Sequence, residues 1–190
     1  PLYRTSRTIN MTSMSPDGEM YTVTYDDKVS LITRDGIVTQ PNLGEDVYRV
    51  FWFPDGQSLL VIRLGNLLRY HLSDQSLEVL YTDFYILHRR FPVLSSDGEW
   101  VAWMDDKNSI NTLHIPTRTH TTIQNSNISL TNAVSINWSP DSRYLLIIVA
   151  PFESKEGNAY YLAHPDNSFI IQLAKHVTDT PIWSPDNQFV

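Results

Sequence analysis

The chain has 190 residues, no Cys, 14 Lys and Arg against 21 Asp and Glu, and a formal net charge of −7; its length suits one ordinary domain, and a disulfide scaffold is excluded. An acidic balance without clustered cations argues against nucleic acid as a partner, because neutralising phosphates needs Lys and Arg. With 42% hydrophobic, 12% aromatic and 18% charged residues there is material for a core, and no apolar run reaches the length of a membrane span.

In chain order, a first turn at Ser15-Pro16-Asp17-Gly18 precedes strands expected at Met20 to Tyr25, Val29 to Thr33 and Ile37 to Thr39. The second unit reads as strands at Val47 to Trp52, Ser58 to Leu64, Leu67 to Leu72 and Leu77 to Tyr81, with Gly65-Asn66 and Ser73 to Ser76 as turns. The third gives Glu99 to Met104, Ser109 to Ile115 and His120 to Gln124. In the fourth, Tyr144 to Val149 is continuously apolar, as a strand buried on both faces should be. No window of helical length carries a competing amphipathic period.

One phrase punctuates these units. It reads Met14-Ser15-Pro16-Asp17-Gly18, Trp52-Phe53-Pro54-Asp55-Gly56, Leu94-Ser95-Ser96-Asp97-Gly98, Trp138-Ser139-Pro140-Asp141-Ser142 and Trp183-Ser184-Pro185-Asp186-Asn187. Its aspartates are spaced by 38, 42, 44 and 45 residues, room for four strands, which fits one propeller blade. Pro presets the first turn residue, Asp bonds nearby backbone amides, and Gly accepts the left-handed conformation that closes the hairpin. Asn187 tolerates that conformation moderately and Ser142 less well. The five aspartates therefore read as structural turn residues, not as a carboxylate site.

Trp-Ser-Pro-Asp-Gly at this period resembles the TolB-type β-propeller repeat, a relative of the tryptophan-aspartate repeat. The resemblance spans essentially the whole chain, with Phe53, Ser96, Ser142 and Asn187 as departures. It implies an all-β fold of four-stranded antiparallel blades, at about residues 9–40, 47–81, 90–124 and 134–173, with a fifth starting at 180–190. TolB-type rings have more than four blades, so the expectation is an incomplete segment of a larger ring. The resemblance also implies a bacterial, periplasmic or extracellular setting; Pro1 to Asn10 carry no signal-peptide pattern.

Chemistry-bearing motifs are sparse. There is no Gly-x-Ser-x-Gly elbow and no Gly-rich phosphate loop. None of the six histidines stands at metal-ligand spacing; His71 and His114 fall at equivalent ends of the third strand, His164 one position later, and His88 and His176 between blades. No catalytic residue, metal or cofactor is expected. The glycosylation-type triplets at Asn10, Asn127 and Asn137 are explained by chance.

Naming the strands of a blade a to d, the a–b and c–d turns share one face, while b–c loops and blade-to-blade connections share the other. That second face carries the candidate partner-binding residues: Asp26 and Asp27, Asp105 and Asp106 in matching b–c loops, Phe84, Tyr85 and His88 in a connection, and Phe152 in a longer excursion. The expected function is a non-enzymatic scaffold presenting loops to a protein or peptide. The alternative is the accessory gating propeller of a prolyl-oligopeptidase-type serine peptidase, and a third possibility is a lyase or cyclase acting at the axis.

Overall fold

The computed structural model describes residues 11–25, 28–86, 92–130, 132–150, 157–178, 181 and 183–184. Among them there are strands and turns and no helix, hence no helix able to cross a membrane. The strands are β1 (Met11–Met14), β2 (Met20–Tyr25), β3 (Lys28–Thr33), β4 (Val38–Thr39), β5 (Val47–Trp52), β6 (Ser58–Arg63), β7 (Gly65–His71) and β8 (Leu77–Phe84). They continue with β9 (Val93–Leu94), β10 (Trp100–Met104), β11 (Ile110–His114), β12 (Thr119–Ile123), β13 (Ala133–Trp138), β14 (Leu145–Val149), β15 (Asn158–Ala163) and β16 (Ile170–Val177). Each consecutive set of four forms one antiparallel meander. The chain divides into two compact units, Pro1–Tyr85 and Ile86–Val190, each holding two such sheets.

In the first unit the core lies between its sheets: Val29 and Leu31 of β3 meet Val50, Trp52, Leu59 and Val61 of β5 and β6. Strand β6 is buried from Ser58 to Ile62 at 1% exposure or less, which explains its unbroken apolar run. In the second unit Ala102, Met104 and Ile110 pack against Ile136, Leu145, Ile147 and Val149. Strand β14 is buried along its whole length, and its opposite face, Leu146 and Ile148, carries Tyr160 and the ring of Trp183.

The turn phrase works as a hydrogen-bonded clasp. In the first blade Ser15 Oγ donates to Asp17 Oδ1 at 2.6 Å and accepts the N–H of Met20 at 2.9 Å, while Asp17 Oδ1 also takes the N–H of Glu19. Ser95 with Asp97, and Ser139 with Asp141, repeat this pattern. Gly18, Gly56, Gly98 and Ser142 all stand at φ between 64° and 76° in the closing position.

The second blade reverses the clasp. Phe53 occupies the serine position and is buried, while the hydroxyl comes from Ser58, the residue facing it across the turn. Ser58 Oγ donates to Asp55, whose carboxylate also pairs with Arg69; the guanidinium of Arg69 lies 4.2 Å over the Phe53 ring. A small polar and a large apolar residue have exchanged places, so hydroxyl and bulk are both retained.

Within each unit the second blade's turn tryptophan reaches the first blade differently. Trp138 Nε1 donates to the carbonyl of Val93 at 3.0 Å. Trp52 Nε1 is buried without a hydrogen-bond partner among the described residues. The carbonyl corresponding to that of Val93 belongs to Ser13, and there it accepts the hydroxyl of Thr22 at 3.3 Å. Thr22 pairs with Ser13 as Ala102 pairs with Val93, so a hydroxyl in place of a methyl occupies the acceptor.

Candidate functional site

The b–c turn of the third blade is built around Asp105. Its Oδ1 accepts the N–H of Lys107 at 3.0 Å and of Ser109 at 2.8 Å, and Oδ2 accepts Asn111 Nδ2 at 3.1 Å. Asn111 is buried, and its Oδ1 receives Thr122 Oγ1 at 2.9 Å and faces His120 Nε2 at 3.0 Å. His120 lies against Trp103, with ring centroids 5.6 Å apart at 26°. Burial lowers the imidazole pKa below its ordinary 6.5, against the pull of the Asp105 carboxylate. Asp105 thus freezes the turn, while its tip, Asp106 and Lys107, is exposed.

Beside this turn a groove of about 310 Å³ opens between residues 108–110 and 122–130. Ile110, Ile123 and Leu130 form a buried apolar floor, with Ile128 beside them. Its walls carry the carboxamides of Asn108, Gln124 and Asn125 and the hydroxyls of Ser109, Thr122 and Ser129; among the described residues no lining side chain is ionisable. The c–d turn of the fourth blade is fastened nearby: Asn167 Oδ1 accepts the N–H of Gln124 at 3.1 Å, and Thr112 Oγ1 donates to the carbonyl of Pro165 at 2.6 Å.

Of the residues singled out in the sequence, Asp105 and Asp106 sit together on this turn, the first inward and bonded, the second exposed. Phe84 belongs to β8, not to the connection, and is 2% exposed. Tyr85, the next residue, is 50% exposed, with its hydroxyl near Gly65. Asp26, Asp27, His88, Phe152 and the turn residue Asp186 lie outside the described residues. The b–c loops of the first and third blades also differ: Tyr25 pairs directly with Lys28, whereas Asp105 bonds Ser109 across a turn one residue longer.

The histidines at the ends of the c strands hold one register position, a correction to the offset expected for His164. Ser58 pairs with His71 and Trp100 with His114, and pairing of Leu145 with Ala163 sets Tyr144 opposite His164. Each has a local partner: His71 with Glu78 at 3.4 Å, His114 with Thr117 at 2.8 Å, His164 with Asp166 at 2.6 Å. His176 lies in β16. Among the described residues no group of three potential ligands could hold a metal ion. The groove was not visible in the sequence, since it joins segments twelve or more residues apart whose side chains are individually unremarkable.

Four-stranded meanders carrying a clasped turn at blade-length intervals make this chain a β-propeller protein. Solved structures agree: a TolB-like protein from Agrobacterium tumefaciens (TM-score 0.63, 12% identity, 90% of this chain covered), the tricorn protease (0.63, 15%, 90%) and dipeptidyl peptidase 4 from Porphyromonas gingivalis (0.64, 12%, 88%). The chain spans 64%, 18% and 32% of these three, respectively. No protein-family model matches it, and no curated protein does.

Proposed function

We propose that the chain is a non-catalytic propeller segment of TolB type that presents its b–c turns and blade connections to a protein or peptide. The observation carrying this reading is the third-blade turn, where Asp105 fixes the backbone by two hydrogen bonds, is itself held by Asn111, and leaves Asp106 and Lys107 exposed beside an open groove. A recognition loop needs that combination, because ordering the loop in advance removes an entropic cost from binding. Half-exposed Tyr85 is a second contact of this reading, an aromatic suited to anchoring a partner. A periplasmic or extracellular setting belongs to the same proposal.

Peptide selection against the 190-residue chain, followed by affinity measurement on Asp106→Ala and Tyr85→Ala, tests it. Both positions are exposed, so folding should survive. A loss of about tenfold or more from either substitution is expected of a contact worth about 1.4 kcal/mol. Undiminished affinity in both variants would remove the third-blade turn and Tyr85 as docking contacts.

The likeness to two peptidases supports a second reading, the accessory propeller of a serine peptidase. A Gly-x-Ser-x-Gly elbow followed by Asp and His downstream in the same reading frame would favour it.

A further inference from the structure

We propose that the groove beside the third-blade turn is a subsite for an uncharged, amide-bearing peptide segment, seating an aliphatic side chain on the floor and a carboxamide or backbone amide against the wall. The proposal rests on the peptide-binding reading above and names the chemistry of the partner. At about 310 Å³ the groove is at the small end of ligand sites, so it takes a portion of a ligand.

The hydrogen bonds decide what the walls can offer. Thr122 has given its hydroxyl proton to Asn111, Asn125 Oδ1 accepts the N–H of Asn127, and the N–H of Gln124 goes to Asn167. The carboxamide of Gln124, Nδ2 of Asn125 and the hydroxyl of Ser109 have no partner among the described residues. A free carboxamide donates and accepts side by side, which is the pattern a peptide group presents in return.

Charge argues in the same direction. The Asp105 carboxylate of the adjoining turn is occupied by the N–H groups of Lys107 and Ser109 and by Asn111 Nδ2, and none of the described residues lining the groove is ionisable. A charged ligand group seated on the floor would give up hydration and gain no counter-charge from the described lining, since Asp106 and Lys107 lie on the turn outside it. A sugar is the other neutral candidate, but its apolar face stacks best on aromatic rings, and the floor is Ile110, Ile123 and Leu130. Branched aliphatic surface suits an aliphatic side chain.

The test is a titration of the ¹⁵N-labelled 190-residue chain with a capped Gly-Leu-Asn-Gly peptide, its Gly-Leu-Asp-Gly counterpart and maltose. The Asn peptide should shift the amides of Ser109, Gln124 and Asn125 with a dissociation constant of about 1 mM or below, and the Asp peptide should bind about tenfold more weakly. Gln124→Glu, at an exposed position, should weaken the Asn peptide about tenfold while the remaining signals keep their dispersion. A preference for the Asp peptide or for maltose overturns the proposal. Shifts at Tyr85 or Asp106 with none in the groove overturn the subsite and leave the peptide-binding reading standing. No shift from either peptide up to about 10 mM overturns both.

Discussion

The backbone N–H of Asp97 donates to Ser142 Oγ across 3.0 Å, joining the turn of the third blade to that of the fourth. Ser142 stands at φ 64°, where a side chain is strained, and it is 4% exposed. The hydroxyl therefore offsets a conformational cost that glycine would avoid. Ser142→Ala should keep the strain and orphan the Asp97 N–H, lowering stability by about 1–3 kcal/mol. Ser142→Gly relieves the strain, worth about 1 kcal/mol, and should cost less than Ser142→Ala. Urea unfolding midpoints measure both, and equal losses would contradict this division.

The two interior tryptophans should respond unequally to substitution. Trp138→Phe removes the bond to Val93, whereas Trp52→Phe removes a donor that has no partner among the described residues. Both lose ring volume, and the lost hydrogen bond adds about 0.5–1.5 kcal/mol to the cost of Trp138→Phe. Trp52→Phe losing stability by the larger amount would contradict the assignment of a stabilising indole hydrogen bond to Trp138 alone.

Acid should loosen the clasps. The hydroxyl of Ser15 and then the N–H of Glu19 hold the Asp17 carboxyl below its ordinary 3.8. Burial works against ionisation of Asp141, yet Ser139, the N–H of Arg143 and the Arg143 charge keep it below 3.8 as well. A depressed folded pKa means the unfolded state binds more protons in that window, so these groups stabilise above pH 3.8 and the contribution fades as pH falls through the folded pKa. Carboxyl NMR titration should place both midpoints below 3.8, and Ser15→Ala should move that of Asp17 upward.

His120 has the opposite chemistry with the same slope. Its folded pKa lies below 6.5, so the fold favours the neutral ring and stability rises with pH until about 6.5. Ring-proton titration should give a midpoint under 6.5 that falls further in Asp105→Asn, since the carboxylate is what supports the charged form.

The neighbouring carboxylates of the third-blade turn should separate cleanly. Asp105→Ala removes the acceptor of three hydrogen bonds and should accelerate amide exchange at Lys107 and Ser109. Asp106→Ala, at an exposed position, should leave stability within about 0.5 kcal/mol.

Much of the fold was legible because its signals are local. The turn phrase fixes where strands a and b meet, and β14 and β6 declare themselves by unbroken apolar runs. What escaped are the irregularities. Strand β8 runs to Phe84, beyond the expected end at Tyr81, because Asp83 at φ 57° forms a bulge that lets pairing resume with Gly65. The shared register of the three histidines depends on pairings that spacing alone does not reveal. Asp105 and Asp106 look alike as letters and differ only in which amides stand within reach. The groove needed both a b–c turn and a connection, which only folding brings together.

The bulges have a consequence for how this chain tolerates change in length. Strand a slips register between Val47 and Arg49 and again between Ala133 and Ser135, and the extra residues, Tyr48 and Val134, are about half exposed. Each is an insertion already absorbed, since strand pairing and the buried residues continue beyond it. Strands β5 and β13 thus hold a one-residue reserve: deletion there would close a bulge, whereas the same deletion in β6 or β14 would turn every following side chain to the opposite face.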